Sequence, residues 1–568
     1  MASIVKKKIK GNIYYYYVET KRIDGKPKRV KQVYLGSAES IKNKFDTEKS
    51  SQPLYSLIEA FGDVCLLYDI AQRLSLVEIL DQCLPKKNQG ISLGVYTLVA
   101  VINRAVSPTS KSNITNWFDK TVLKKFINVP KSGLSCQRFW DNMDLIQDNH
   151  IDLFEEVFLE MVLERYPIDT SRLIYDATNF FTFFAADNDS EIAKTGHGKD
   201  KGTRLKIVGL SMMITPDLNM PLLYDVYPGN THDSVEFKLM IAKIKDRYTK
   251  ITGKPADITI TFDRGNNAED NIELLEDGKI PFHYIGGLRL SQVEMLLDIP
   301  KTKFSLLRLA SKEEKTKVYR TKLNLYNRDL TVLVTYDPKL HRKHIHTHEE
   351  NIAKTKAELE ELRVQLFNRA AQNVTKGKPV TRESVAIRLK KIFSRSHMRD
   401  VFTTNIILIN GHPDKPLVTF HLNKKASDAI SRKYFGKRAF FTSRHEWTNE
   451  EIVGAYSSAW HVEGAFRQLK DTDYLSVRPL FHWTDQKIKV HLFFCVLAYR
   501  LCCLLNHELM EAGIGVSINK MLNSLSEVRK VTTVFGYRNS DIIISLSKGN
   551  DYAEKILKLR DLKAKYLS

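Results

Sequence analysis

The sequence predicts a mixed α/β protein whose sheet is interrupted by an insertion and preceded by a β-hairpin and a helical region. Three observations lead to this fold class. In residues 166–300, strand-like and helical apolar spacings follow each other in the order β-β-β-α-β-α-β. Residues 301–440 then contain too many strand and helix patterns to be a loop. A capping-box helix restarts the α/β pattern after residue 440.

The composition is strongly basic. The 568 residues include 87 lysines and arginines against 66 acidic residues, which gives a net charge of +21. This excess indicates a polyanionic partner, most simply nucleic acid, although a basic solvated surface would give the same total. The six cysteines form no Cys-x-x-Cys pair, so we expect reduced core thiols rather than a zinc site.

No sequence pattern predicts export or a membrane span. The basic N-terminus leads into a tyrosine-rich strand pattern, not into the apolar core of a signal peptide. The longest uninterrupted apolar stretch, residues 492–499, is far shorter than the roughly 20 residues that cross a bilayer. We therefore expect a soluble, cytoplasmic protein with no membrane partner.

Residues 1–50 are predicted to form a basic β-hairpin unit. Strand patterns at 13–18 and 29–35 flank Asp24-Gly25, a dipeptide typical of hairpin turns. Basic residues lie in both arms, which favours a DNA contact. A solvated two-stranded flap is the alternative.

Residues 51–165 are predicted to be a helical DNA-binding domain. Helical apolar spacing covers 54–76 and 151–165. Between them, the polar run that starts at Pro108 leads into the aromatic pair Trp117-Phe118. Composition alone would equally allow a domain that only packs against the rest of the chain.

Residues 166–300 are predicted to be the first part of the α/β core. Asp176 lies within one apolar strand pattern, and Asp263 ends another. Asp233 follows a turn sequence and is predicted to cap the next helix. The basic loop 196–204 is a weaker candidate for DNA contact, with a solvated loop as the equal alternative.

The remaining segments complete the predicted organisation. Residues 301–440 are predicted to be a β-rich insertion subdomain with a charged helix from His348 to about residue 372. Residues 441–510 form the second part of the core, which ends in a strongly apolar helix. Residues 511–568 are predicted to be a C-terminal helical tail.

One helix pattern in the second core part carries the most informative residues. Tyr456, Glu463 and Lys470 are spaced by seven residues, which places them on one face of a single helix. A carboxylate is thereby flanked by a phenol and an ammonium group. The ordinary interpretation is a packing tyrosine and a solvated lysine.

Three carboxylates could together hold metal ions. Asp176, Asp263 and Glu463 offer the oxygen ligands that a pair of divalent ions needs for phosphoryl chemistry. The two aspartates sit in apolar strand patterns, where an unpaired charge is costly. Each acid also has an ordinary role, because strand-end aspartates are common turn residues and Glu463 could pair with Arg467.

At these residues the chain resembles bacterial insertion-sequence transposases of the Asp-Asp-Glu type, in the insertion-sequence-four group. The group's signature is Tyr, two residues, Arg, three residues, Glu, six residues, Lys; Tyr456, Glu463 and Lys470 match it, and Ala459 replaces the arginine. Further blocks resemble the family over about residues 170–500: residues 175–181, 196–200, 229–233, 262–265 and 475–483, and His491 with the residues after it.

The resemblance implies a ribonuclease-H-like core and a metal-dependent DNA transposase. In that family, Asp176, Asp263 and Glu463 would bind two Mg²⁺ ions, with Mn²⁺ able to substitute. Water would cut one strand at the transposon end, and the freed 3′-hydroxyl would then attack target DNA.

The resemblance also implies the partners. These are double-stranded DNA, as terminal inverted repeats and target DNA, and a second copy of the chain, in the nucleoid-associated cytoplasm. Lys470 would contact phosphate and Tyr456 would bond or stack near the DNA end, while Arg264 and Arg467 are further candidates for DNA contact.

Two other functions stay open from the sequence. Ala459 at the signature arginine position is compatible with a catalytically inactive DNA-binding protein derived from a transposase. A metal-dependent DNA nuclease that cuts without joining would use the same three carboxylates.

Overall fold

The computed structural model describes the whole chain except residues 1, 24–25, 50–52, 88, 183–188, 197–204, 253–256, 278–280, 309–315, 372–379, 410–414, 536–540 and 568. The predicted turn Asp24-Gly25 and most of the basic loop 196–204 therefore lie outside the described residues. The chain forms two compact units, the first made of Met1–Phe158 with Gln468–Ser568 and the second of Leu159–Arg467.

The N-terminal stretch begins with a small antiparallel sheet and continues mostly as helices. Its elements are β1 (Ala2–Ile9), β2 (Asn12–Ile23), β3 (Lys26–Gly36), α1 (Ala38–Lys49), β4 (Pro53–Ala60), α2 (Gly62–Arg73), α3 (Leu76–Cys83), α4 (Leu93–Val106), α5 (Ile114–Asp119), α6 (Cys136–Asp144) and α7 (Asp148–Arg165). The predicted hairpin is thus a three-stranded sheet in the order β1-β2-β3, because the basic residues of β1 pair with the tyrosines of β2.

The middle stretch contains the α/β pattern. Its elements are β5 (Arg172–Phe181), β6 (Lys194–Thr195), β7 (Lys206–Ile214), β8 (Pro221–Pro228), α8 (Asp233–Thr252), β9 (Thr259–Phe262), α9 (Glu269–Glu276), β10 (His283–Leu288), α10 (Glu294–Leu297), β11 (Ser305–Leu306), β12 (Lys317–Leu325), β13 (Arg328–Tyr336), α11 (Pro338–Ala370), α12 (Arg382–Ile392), α13 (Met398–Val401), β14 (Phe402–Leu408), β15 (Pro416–Leu422), α14 (Lys424–Tyr434), β16 (Lys437–Thr442), α15 (Asn449–Ser457) and α16 (Trp460–Leu469).

The C-terminal stretch is not the helical tail that the sequence predicts. Its elements are α17 (Asp485–Glu511), α18 (Ile518–Ser526), β17 (Arg529–Phe535), β18 (Asp541–Leu546), α19 (Asp551–Leu559) and α20 (Leu562–Tyr566). β17 lies between β18 and β4 in a three-stranded sheet. The predicted helix at 54–76 is confirmed from Gly62 to Arg73 as α2, but its first part is wrong. That part is β4, which pairs with β17 near the other end of the sequence.

The second unit is built on one large mixed sheet. The described strands run in the order β11-β12-β13-β16-β10-β9-β5-β7-β6, and β8 pairs with β7. β5, β9 and β10 are parallel neighbours, whereas β7 and β8 continue the sheet antiparallel to β5. β9 and β10 therefore end beside the middle of β5, which continues to Phe181 past the last residue of β9.

Helices cover both faces of this sheet. On one face, Phe237 of α8 packs edge-on against Tyr175 and is tilted against Phe262, with ring centroids 4.9 Å apart in both pairs. On the other face, Ile452 and Val453 of α15 are buried in one cluster with Ile285 and Leu333. The alternation of side chains along a strand assigns every strand residue to one of these two faces.

The start of α8 differs from the sequence prediction. Asp233 is the first residue of this helix, not its cap. The cap is His232, whose ring Nδ1 accepts a 3.3 Å hydrogen bond from the backbone N–H of Ser234. An imidazole can replace the usual carboxylate here because the first helical N–H groups need only an acceptor.

Residues 301–440 also differ from a separate β-rich insertion. Strands β11, β12, β13 and β16 extend the large sheet, next to β10. Helices α11 to α14 and strands β14 and β15 instead surround their own apolar cluster, which includes Leu359, Val385 and Met398. The sequence places the charged helix too late, because α11 starts at Pro338 behind its cap Asp337, which accepts from the N–H groups of Lys339 and Leu340.

The first unit is organised around α17, which matches the predicted apolar helix. Among the described residues, α17 alone is long and apolar enough to cross a membrane by length and composition, but 94% of its most apolar window is buried inside the protein. Within this core, Arg500 Nη1 donates a 2.7 Å hydrogen bond to Glu155 Oε1, and Arg500 Nη2 forms an ion pair with Glu155 Oε2 at 2.7 Å.

Candidate functional site

The register of β5 against β9 brings two predicted acids together. Tyr175 of β5 lies opposite Phe262 of β9, and each is followed directly by an aspartate, Asp176 and Asp263. Parallel neighbours are about 4.8 Å apart, so the two aspartates start from adjacent backbone positions. Because Tyr175 and Phe262 face α8, alternation directs both aspartates to the opposite face, where α15 packs. Asp176 is half-buried and Asp263 is exposed.

Tyr456 is held over Asp263 by α15. The capping box predicted from the sequence is present: Thr448 Oγ1 accepts from the N–H of Glu451, whose carboxylate accepts from the N–H of Thr448. The Tyr456 ring packs on Phe440 with centroids 4.4 Å apart. Burial, the charge of Asp263 and a side-chain hydrogen bond to it raise the pKa of Tyr456 to about 12. The phenol therefore stays protonated at neutral pH and can donate to the Asp263 carboxylate.

Gly287 provides the space that this contact needs. By register, β10 places Gly287 beside Asp263, on the face covered by α15. A Cβ at this position would clash with the Tyr456 hydroxyl and would lie 3.1 Å from Tyr456 Cζ. The Gly287 carbonyl also accepts a 2.5 Å hydrogen bond from Asn267 Nδ2, which fixes the turn after Asp263 against β10. The absence of a side chain at Gly287 thus allows the phenol to reach the aspartate.

The single signature helix predicted from the sequence is wrong. The chain forms two helices, because α15 ends at Ser457 and α16 begins at Trp460. Between them, Ser458 Oγ donates to the carbonyls of Gly454 and Ala455, at 3.0 and 2.9 Å, and thereby competes with the backbone bonds that would continue the helix. Tyr456 and Glu463 therefore lie on separate helices, and Lys470 follows the end of α16.

Glu463 is placed on the exposed face of α16. This helix buries Val462 and Ala465 and leaves Glu463 and Arg467 exposed. No three acidic, histidine or cysteine side chains are grouped closely enough to hold a metal ion within the described part of the chain. Asp176 and Asp263 fit the need of a divalent cation for neighbouring oxygen ligands, and Glu463 is not grouped with them.

Two arginines supply positive charge beside the phenol. The charges of Arg438 and Arg264 both act to lower the pKa of Tyr456, against the larger effects of burial and Asp263. Arg264 was predicted as a DNA contact, but Arg438 was not. It is exposed in β16, a strand that is otherwise buried. Its signal in the sequence is weak, because Arg438 follows another basic residue, Lys437, at the start of the strand.

We expect Gly287→Ala to disturb the site through Tyr456. The new methyl group must displace the phenol, and such overpacking typically costs about 1–3 kcal/mol. Tyr456→Phe alone should cost less, since its ring still packs on Phe440. The double variant should recover stability relative to Gly287→Ala, because the clash with the hydroxyl is gone. Urea unfolding of all four proteins measures this coupling, and strictly additive costs would show that the two residues do not touch.

A family model described as a transposase DDE domain matches residues 167–501. No curated protein matches the chain significantly. Among solved structures, a piggyBac transposase synaptic complex with hairpin DNA is similar, with 11% identity, a TM-score of 0.36, and coverage of 82% of this chain and 80% of that one.

A Mos1 transposase paired-end complex with left transposon end is also similar, with 9% identity and a TM-score of 0.14. That match covers 35% of this chain and 61% of the other. Both structural likenesses are too distant to support an argument about activity. The family model, however, spans more than half of the residues, and the two paired aspartates lie within it. The chain therefore belongs to the family of transposases with a DDE domain.

Proposed function

We propose that this protein is a DNA transposase that cuts DNA at transposon ends and joins the freed ends to target DNA by a cut-and-paste route. The observation that supports this most is the register that puts Asp176, in the middle of β5, beside Asp263, directly after the carboxyl end of β9. Ligand sites of α/β sheets commonly lie beyond the carboxyl ends of parallel strands. The proposal includes double-stranded DNA as partner, a homodimer on paired ends, and a nucleoid-associated location in the cytoplasm.

We further propose that the core is ribonuclease-H-like. Its support is the strand order β8-β7-β5-β9-β10, with three antiparallel strands followed by two parallel ones. Membership of the insertion-sequence-four group rests on the spacing of Tyr456, Glu463 and Lys470 and on the other sequence blocks. Ala459 still departs from that signature, and it lies in the turn between α15 and α16.

In this proposal, Asp176 and Asp263 hold Mg²⁺ or Mn²⁺, and Glu463 adds the third carboxylate. Such ions, when bound, activate an attacking oxygen and stabilise the leaving one. Tyr456 orients Asp263 by donating to its carboxylate. To join the aspartates, Glu463 requires α16 to approach them, and the turn at Ser458 and Ala459 is where the chain can rotate.

The positive side chains divide into two groups in the proposal. Arg264 and Arg438, next to Tyr456, attract a DNA phosphate to the site. Arg467, exposed on α16, and Lys470, which follows it, contact the DNA beside the reacting phosphate. Arginine can form two parallel bonds to a phosphate, whereas lysine acts as a point charge.

The N-terminal sheet is proposed as a second DNA contact. Residues 2–36 contain eight lysines and two arginines against two acidic residues. The register places Lys6 and Lys8 of β1 and Lys31 of β3 on one face of this sheet. Such a cluster fits the phosphates of duplex DNA, whose binding releases counterions.

We expect the triple change of Lys6, Lys8 and Lys31 to alanine to weaken duplex binding at every sequence. Each lost phosphate contact should lower the slope of log affinity against log salt by about 0.9, so the total decrease should be between about 2 and 3. Fluorescence anisotropy at several salt concentrations measures this slope. Lys7→Ala, on the opposite face above the Tyr16 ring, is the matched control. Equal slopes for the triple variant and wild type would remove this surface from the proposal.

The function itself is tested with DNA that flanks the gene. Short inverted repeats bounded by a direct duplication would define the substrate. Purified protein with these ends, Mg²⁺ or Mn²⁺ and a plasmid target should give both cleaved ends and joined products. Cleavage without joining would indicate a nuclease, and metal-independent binding without cleavage would indicate an inactive DNA-binding protein.

A further inference from the structure

The first unit contains a cavity that the catalytic proposal does not use. Its volume is about 220 Å³, and Thr109, Ser110, Lys111, His482, Trp140 and Phe481 contribute to its lining. Trp140 and Phe481 are about half exposed, at 43% and 52%, whereas Lys111 and His482 are buried. Cavities for drug-sized ligands typically measure about 300–1,000 Å³, and this cavity is smaller. It therefore fits a small chemical group whose parent molecule extends out into solvent.

Lys111 is a buried cation that has no carboxylate nearby among the described residues to balance its charge. It is 5% exposed and forms no ion pair with any residue in the described part of the chain. Its ammonium group donates a 3.5 Å hydrogen bond to His491 Nδ1, whose ring Nε2 bonds the Val477 carbonyl at 2.8 Å, and it lies 5.7 Å from the Phe494 ring. Burial and the nearby Arg104 lower the pKa of Lys111 to about 7. A buried ammonium group without a carboxylate or carbonyl partner is costly.

Two other buried lysines show what compensation looks like in this chain. Lys437 donates to the carbonyls of Leu297, Arg432 and Lys433, at 2.6–3.1 Å. Lys530 donates to the Leu567 carbonyl at 2.9 Å. Lys111 has no such carbonyl bond among the described residues, and its one bond, to His491 Nδ1, is long at 3.5 Å. Its ammonium group therefore keeps donor capacity for a further acceptor.

The other groups at the cavity are also suited to an anion. His482 is 7% exposed, and its ring nitrogens have no hydrogen-bond partner among the residues that the structure describes. Ser110 and Ser112 share one 2.7 Å hydrogen bond between their hydroxyls, which leaves further donor and acceptor capacity. Cations, an unused imidazole and hydroxyl groups together match the oxygens of a phosphate.

We propose that this cavity binds the phosphate of an unpaired nucleotide at a DNA end, with Lys111 on the phosphate and the base against Trp140 and Phe481. Aromatic side chains stack with bases of any sequence, and the half-exposed rings lie where a base would leave the cavity. The inference rests on the proposed function only in taking DNA as the source of the nucleotide. The site lies in the first unit, apart in sequence from the aspartate pair.

The test measures binding of short oligonucleotides without any divalent metal. Wild-type protein should bind a 5′-phosphorylated single-stranded trinucleotide about tenfold to a hundredfold more tightly than Lys111→Met does, the range expected for a charge-assisted hydrogen bond. The unphosphorylated trinucleotide should bind both proteins weakly and equally. Trp140→Ala should weaken binding of the phosphorylated trinucleotide and leave inorganic phosphate unaffected.

Three outcomes would overturn the inference. Equal affinity of the trinucleotide for wild type and Lys111→Met would show that the lysine does not bind it. Inorganic phosphate as tight as the trinucleotide would show a free-anion site. A Lys111→Met protein that unfolds at lower temperature than wild type would show a structural lysine, because loss of an uncompensated buried charge should not destabilise the fold. Since no metal is present, failure here leaves the cleavage assay as an independent test of the transposase proposal.

Discussion

Changing Asp263 or Asp176 to asparagine should reduce strand cleavage by about a thousandfold. Each substitution replaces an anionic ligand by a neutral amide of the same shape at the paired positions. Metal-assisted charge stabilisation contributes several kcal/mol, and each 1.36 kcal/mol corresponds to a tenfold change in rate. Asp263 is exposed, and asparagine keeps the shape of both side chains, so the fold and DNA binding should persist. Single-turnover cleavage of labelled ends, with circular dichroism and anisotropy on the same samples, measures the three properties.

The matched control for this pair is Asp270→Asn. Asp270 is an exposed acid in α9 that pairs with Lys238 at 2.8 Å, and exposed pairs contribute little. Its rate should stay within about twofold of wild type. Full activity of the Asp176 and Asp263 variants would exclude these residues as metal ligands, whereas equal losses in all three would indicate a general effect of acidic charge.

Breaking the buried ion pair of the first unit should give the largest loss of stability. In Arg500→Met, the Glu155 carboxylate loses both bonds of the pair, and both side chains are only 2–3% exposed. A buried charge left without its partner costs about 3–5 kcal/mol. Urea unfolding monitored by tryptophan fluorescence should therefore show a much lower midpoint urea concentration for this variant.

The double variant Glu155→Leu with Arg500→Met separates charge from packing. Because no uncompensated charge remains, it should regain most of the stability that Arg500→Met loses. A double variant as unstable as the single one would assign the loss to packing, for example to the Arg500 contact above the Phe158 ring.

The pairing of Asp176 and Asp263 was largely predictable from the sequence. Asp176 and Asp263 stand out because acids are rare in apolar strand patterns, and burial forces those strands together in one sheet. The α15 start was predictable as well, since the capping box of Thr448 and Glu451 is a local pattern. Local spacing thus identified the elements that position two of the three carboxylates.

The features that the sequence does not predict depend on contacts between distant residues, or on a side chain that competes with the backbone for a hydrogen bond. The apolar spacing of β4 predicts a helix, and the partner that makes it a strand, β17, lies more than 460 residues later. The break after Ser457 arises from one serine hydroxyl, which no periodicity reveals. Arg438 lies near Tyr456, and Lys111 near His491, only because strands and helices from distant parts of the sequence pack around them.

The most direct measurement of the central claim is the number of Mn²⁺ ions that the protein binds with and without Glu463. Electron paramagnetic resonance of the protein with bound DNA ends counts free and bound Mn²⁺. We expect two bound ions in wild type and fewer in Asp176→Asn, Asp263→Asn and Glu463→Gln alike. An unchanged number in Glu463→Gln, with losses in both aspartate variants, would contradict the proposal that Glu463 joins the aspartate pair.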